Sequence, residues 1–245
     1  HFAKRFVIFL RWLAFSIMSG VLVGGVGAFF HYCIAYATEA RASFPWLVFL
    51  LPGAGLLIVG AYHVTHDEKD SGTNLVLSAI HSGEHIPLKM APLIFASTVM
   101  THLFGGSAGR EGAALQLGGS IGNSLGRFLK FDEKDQHIMI MCGMSAAFSA
   151  LFGTPLSAAI FSMEVVSVGI MHYAALVPCV VSSLVAQGIA GACHILPERF
   201  PLGHVPGFTI SSGVLVAILA ILCAIVSTLF CIMLHMGEAL YKKYF

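Results

Sequence analysis

GGSAGREGAALQLGGSIG, residues 105–122, sets Arg110 and Glu111 side by side in sequence that is otherwise apolar. Residues 90–109 hold no Asp, Glu, Lys or Arg, and none follows between Gly112 and Gly126. A cation and a carboxylate placed where lipid is expected are a functional hypothesis by default. A helix N-terminus supplies the chemistry. It leaves four backbone N–H groups without an intrahelical acceptor and carries a partial positive charge, so an anion is its natural partner. Gly105, Gly106 and Gly109 let the backbone approach an ion and reach φ > 0. Arg110 adds positive charge or ties down neighbouring carbonyls. A short helix that begins at Glu111 then aims its positive end at the membrane midplane. Glu111 stands where a carboxylate imitates the anion: ionised, it occupies the anion site; protonated, it swings away. Such a group couples proton movement to anion movement. The plainer reading is a buried Arg110–Glu111 pair, which is geometrically awkward because adjacent helical residues diverge.

The rest of the chain fixes the class. Of 245 residues, 57% are hydrophobic and 10% charged, against about a quarter charged in soluble domains; the mean hydropathy is +0.86. Residues 12–38, 42–66, 90–109, 136–163, 165–197 and 200–237 are free of Asp, Glu, Lys and Arg, and each run meets the roughly 20 residues that a helix needs to cross a bilayer. Strand alternation is absent, which argues against a β-barrel. The chain reads as an all-α polytopic membrane protein. Lys4, Arg5 and Arg11 before the first span place the N-terminus in the cytoplasm. A net charge of +1 without a basic face gives no reason to expect nucleic acid. The six cysteines lack CxxC spacing and the twelve histidines lack HExxH. They read as thiols and interfacial or loop residues, with no metal site and no cofactor.

Organisation follows from Gly and Pro. Long helices are expected over about residues 5–36, 45–64, 173–196 and 210–241, and a further segment, its start framed by Pro87 and Pro92, reaches Phe104. Residues 111–128 are short for a span. Residues 132–135 form a charged connector before a helix at 136–152. Thr154 fits an N-cap and Pro155 the first helical position after Gly153. A short helix is expected after Thr73 or Asn74. Full spans thus alternate with short, broken helices that end inside the membrane, a pattern tolerated where backbone lines a cavity. Gly118, Gly122 and Gly126 recur every four residues and read as a packing stripe. Gly72-Thr73-Asn74 offers N–H groups, a hydroxyl and an amide to an ion. Glu164 is a third intramembrane charge. It carries protons, lines a subunit contact, or faces water at the interface.

These residues carry a resemblance. Gly109-Arg110-Glu111-Gly112, followed by Ala113-Ala114-Leu115-Gln116-Leu117-Gly118-Gly119-Ser120-Ile121-Gly122, resembles the GREGP…Q-x-G-x-x-I-G signature of the CLC chloride channel and transporter family, with Ala113 in place of proline. The stretch from Ala146 through Phe152-Gly153-Thr154-Pro155 to Ala158, and then Phe161-Ser162-Met163-Glu164, resembles the family's A-A-x-F-x-A-P-L-x-G…E region. The resemblance implies a CLC-type fold of tilted and broken intramembrane helices, a homodimer with one pore per subunit, and an inverted repeat within each subunit. It implies that Glu111 is the gating glutamate and that the backbone of Gly109, Arg110, Gly112 and Ala113 binds the ion. The family's GSGIP motif reads Gly72-Thr73-Asn74-Leu75-Val76 here. Thr73 replaces the coordinating serine, and Asn74 with the lost proline resembles the fluoride-exporting branch. The internal proton glutamate of chloride antiporters falls on Val165; a register shift of one residue gives that role to Glu164. A GxFxP-type helix start and an inner-gate tyrosine are missing after Phe128, and Pro206-Gly207-Phe208-Thr209 is not that motif. Residues 1–245 are therefore expected to be one transmembrane domain, the N-terminal repeat of a CLC subunit plus the first helix or helices beyond it, without the C-terminal repeat.

The function so implied is fluoride export coupled to proton import across a bacterial inner membrane, by a protein that is not an enzyme. Its partners are fluoride or chloride, protons, lipid and a second subunit. The alternative on the same fold is a chloride/proton antiporter or a chloride channel. A remote alternative is an intramembrane serine hydrolase: Gly105-Gly106-Ser107-Ala108-Gly109 matches G-x-S-x-G, with His102, His137 or His172 as base, but that motif needs a strand–turn–helix setting. A purely structural membrane subunit is a further reading.

Overall fold

The computed structural model describes residues 2–65, 76, 86–166, 172–195, 207 and 209–244. The polar loop at 66–70, the Gly72-Thr73-Asn74 motif and the short helix expected after it lie outside the described residues. The first compact unit is His1–Glu198 and the second is Arg199–Phe245. In the first, helix α1 runs Phe2–Ser43, a 3-10 turn covers Pro45–Leu50, and α2 is Leu51–Val64. Then come α3 (Met90–Leu103), α4 (Glu111–Phe128), α5 (Glu133–Phe152), α6 (Pro155–Glu164), a 3-10 turn at Tyr173–Ala175, and α7 (Leu176–Ala192). The second unit holds α8, Ile210–Tyr244. Among the described residues there is no strand.

Among the described residues, four stretches are long and apolar enough to cross a membrane: Phe6–Ser43, Pro45–Val64, Tyr173–Ala192 and Ile210–Tyr241. Between them lie the shorter helices. α6 has 10 residues, about 15 Å of helix against a hydrocarbon core of about 30 Å. α1 extends past the expected end at residue 36. Ala37-Thr38-Glu39-Ala40-Arg41 contains no breaker and mostly good helix formers, so the helix continues until Pro45 forces the preceding residue out of the helical region. Phe44 accordingly sits at φ −127°, ψ 74°.

Helix α5 is the centre of the first unit. Residues 139–147 are all buried, as expected of a helix that is apolar or small all round. Against α4 it packs through glycines. A Cβ on Gly118 would strike the Gly143 carbonyl, one on Gly143 would strike the Gly118 carbonyl, and one on Gly122 would strike the Met139 carbonyl. At Gly118 and Gly122 the stripe read from sequence is therefore a backbone-to-backbone seam; at Gly126 the nearest atoms, Gln136 Cγ and Met139 Cβ, leave a Cβ 3.4 Å. Against α7 the contact is polar. Ser145 donates to the Cys179 carbonyl at 3.0 Å, Ser149 to Ser183 at 2.8 Å, and Ser182 donates back to Cys142 at 3.0 Å. In apolar surroundings such bonds replace the missing hydrophobic drive between helices. α1 closes on α7 through Gly20 and Gly24, where added Cβ atoms would meet the Ser182 carbonyl at 2.6 Å and the Ala186 Cα at 2.8 Å. All six cysteines are free thiols.

Candidate functional site

The glycine loop between α3 and α4 begins with a helix stop. The Gly105 N–H bonds the His102 carbonyl at 3.1 Å and the Gly106 N–H reaches back to Thr101 at 2.8 Å. With Gly105 at φ +76°, this is a Schellman arrangement, which needs one left-handed residue. The guanidinium of Arg41, from the last turn of α1, lies against that same residue. A Cβ on Gly105 would collide with Arg41 Nε and meet Cζ at 3.0 Å and Nη2 at 3.1 Å. Ser107, Ala108 and Gly109 are exposed.

Helix α4 then starts without a capping side chain. Its N-cap is Arg110, at φ −99°, ψ −9°. The Ala114 N–H bonds the Arg110 carbonyl at 2.9 Å, so the N–H groups of Glu111, Gly112 and Ala113 precede the first helical bond. The contrast with α5 is informative. There Asp132 caps the helix by accepting from the Asp135 N–H at 2.8 Å, and the positive end is neutralised by its own carboxylates. At α4 the nearby carboxylate is Glu111, which is exposed and folds back over Gly109, where any Cβ would collide with Glu111 Oε2. Glycine at 109 thus makes room for the glutamate.

Arg110 is half-buried, with its Cζ 5.4 Å from the centre of the Phe152 ring, a cation–π distance. Phe152 packs on Phe148 at 4.5 Å and Phe148 on Phe161 at 5.1 Å. An aromatic row therefore links the start of α4 to the end of α5 and to α6. Ala113 is buried in the core with Ala114, Ala146 and Ala147.

Gly109, Arg110, Glu111, Gly112 and Ala113 are thus together at one helix start. Glu164 is not among them. It is the last residue of α6, exposed, at the end remote from Phe152. Gly72, Thr73 and Asn74 lie outside the described residues. Val76, the described residue nearest to Asn74, is buried and sets Cγ1 against Gly119 of α4. Two contacts of the site went unread in the sequence, Arg41 on Gly105 and Phe152 under Arg110. Ser107 follows a helix and not a strand, and His102 bonds the Thr98 carbonyl through Nδ1 at 2.8 Å, so the nucleophile-elbow setting is not met there.

Spans, half-length helices and a glycine-lined helix start define a multi-pass α-helical membrane protein with broken intramembrane helices. Residues 54–245 match the family model described as voltage gated chloride channel, and the chain belongs to that family, the CLC family. It is 36% identical over 234 residues to the chloride/fluoride channel protein of Pseudomonas syringae pv. tomato, covering 95% of this chain and 52% of that protein. Among solved structures, it is similar to a CLC-type fluoride/proton antiporter, with a TM-score of 0.76, 34% identity, and coverage of 82% of this chain and 51% of the other. A slow cyanobacterial Cl−/H+ antiporter shares the fold at a TM-score of 0.62 and 22% identity, covering 75% and 47%. The chain spans about half the length of the curated relatives it matches.

Proposed function

We propose that the protein carrying this chain exports fluoride in exchange for protons. The observation that carries the reading is the uncapped start of α4 with the Glu111 carboxylate folded beside it. The N–H groups of Glu111, Gly112 and Ala113 form the anion cradle, with Arg110 and the backbone of Gly109 around it. Glu111 competes with the anion when ionised and leaves when protonated. Each departure of the carboxylate hands a desolvated positive helix end to an incoming ion, and this exchange links the proton to the anion. Fluoride is small and strongly hydrated, so its site must replace water with strong donors. Gly72, Thr73 and Asn74 supply a second set. The names of two relatives, a chloride/fluoride channel protein and a fluoride/proton antiporter, support the choice of halide. Glu164, exposed at the end of α6, serves the proton path. The chain is one half of an inverted repeat, and the working assembly is a homodimer.

A second reading keeps the fold and moves chloride, as an antiporter or a channel; the voltage gated chloride channel family match favours it. Fluoride and chloride efflux from liposomes, read with ion-selective electrodes for the full-length protein and Glu111→Gln, tests both. Fluoride far ahead of chloride, with proton coupling lost in the variant, is the expected result. Chloride-led or equal flux would sink the fluoride assignment and leave the anion site standing. A Glu111→Gln protein that still pumps protons would remove Glu111 from the mechanism.

A further inference from the structure

We infer that Arg41 is an anion-steering residue at the outer mouth of the pathway, a fixed positive charge held beside the loop that leads to α4. The inference rests on the anion-transport reading above, but not on which halide moves.

Its place comes first. Arg41 and Arg11 mark opposite ends of α1. Arg11 lies 5.2 Å from the Phe15 ring and 5.3 Å from the Phe131 ring, at the end that the basic N-terminus puts in the cytoplasm. Thirty residues of helix further on, about 45 Å by helical rise, Arg41 is at the outer face. The loop it meets there is the one that precedes Glu111.

The mode of contact matters as much. Nε, Cζ and Nη2 all crowd the place where a Gly105 Cβ would stand, so the guanidinium head rests against this glycine. The contact fixes where the charge sits. Arg41 is exposed, and so are Ser107, Ala108, Gly109 and Glu111, so the cation and the loop lie on one face of this chain. Glu39, two residues earlier on the helix, is about 200° away around its axis and points elsewhere. A positive charge at the lip of a site raises the local concentration of the anion and its rate of arrival. Arginine suits the task because its planar head seats on the glycine, while lysine would place the same charge without the seat.

The test is halide influx, the direction that enters at the outer mouth, through the full-length protein in liposomes, for wild type, Arg41→Gln and Arg41→Lys, at about 20 mM and about 500 mM ionic strength set with an impermeant salt. Steering predicts that Arg41→Gln lowers the initial rate about threefold at low ionic strength, at sub-saturating halide. The gap closes at high ionic strength, where the Debye length falls to a few ångströms. Arg41→Lys stays near wild type, and saturating rates stay alike. Equal loss in Gln and Lys at both salts would make Arg41 a structural peg for the Gly105 loop and overturn the inference. So would wild-type rates in Arg41→Gln. Because the comparison is made with whichever halide moves, a failed fluoride assignment appears as the wrong halide, and failed steering as the absence of a salt-dependent gap.

Discussion

Gly105 answers two demands with one missing methyl. It takes the left-handed conformation that ends α3, and it leaves the space that Arg41 fills. Gly105→Ala is expected to cost about 1–3 kcal/mol from backbone strain alone and to unseat Arg41 as well, read as a lower unfolding temperature in detergent. Lys130 is the opposite case. It occupies the left-handed position that closes α4, at φ 55°, with the Phe131 N–H on the Gly126 carbonyl at 3.0 Å. Lys130→Gly removes the Cβ penalty and is expected to stabilise the protein by about 1 kcal/mol, measured the same way. At this scale the site was half legible. Arg110 and Glu111 stand out because charge in apolar sequence is a functional hypothesis by default, and the plainer paired-charge reading is geometrically awkward. Phe152 and Arg41 do not, since a phenylalanine in a membrane helix and an arginine near its end are ordinary. Their partners are far away in sequence, and only the fold brings them together.

Helices α4 and α5 show what spacing does and does not tell. The four-residue glycine period of α4 predicts a close neighbour, and that neighbour is α5. Its reciprocal glycine, Gly143, stands alone and carries no periodic signal. Gly143→Ala drives a Cβ into the Gly118 backbone carbonyl, where no rotamer change relieves it. A loss of about 2–4 kcal/mol is expected, enough to shift most of the protein into aggregate on mild heating, as size-exclusion chromatography after a temperature step would register. The serine bonds between α5 and α7 were invisible in sequence, because a serine within a membrane helix bonds its own helix as readily as another. Replacing Ser145, Ser149 and Ser182 together by alanine is expected to cost about 2 kcal/mol, at about 0.6 kcal/mol per interhelical bond. Unchanged thermal stability of the triple variant would show that the carbonyls they bridge need no second donor.

Across the whole molecule, α1 and α4 run in opposite directions. One end of α1 meets Phe131, just past α4, and the other meets Gly105, just before it. Arg11, Arg127, Lys130 and Lys134 gather towards one end, the end that the positive-inside rule assigns to the cytoplasm. With the native thiols blocked, Lys134→Cys is expected to react with an impermeant maleimide only from the cytoplasmic side and Ser43→Cys only from outside; the reverse would invert the orientation. Hydropathy alone located nearly every helix. It missed the length of α1, since its last turns are soluble-looking helix formers that only Pro45 halts.

The glycine seam between α4 and α5 has a mechanical sequel. Where main chain rests on main chain, nothing compressible lies between the two parts, and the joint behaves as a stiff bearing. Lifting it by an ångström forfeits a whole row of contacts at once. In the proposed cycle, the cheap movement left near Glu111 is the swing of one carboxylate about its own bonds, which would separate the stationary frame from the moving part at the smallest scale a protein offers.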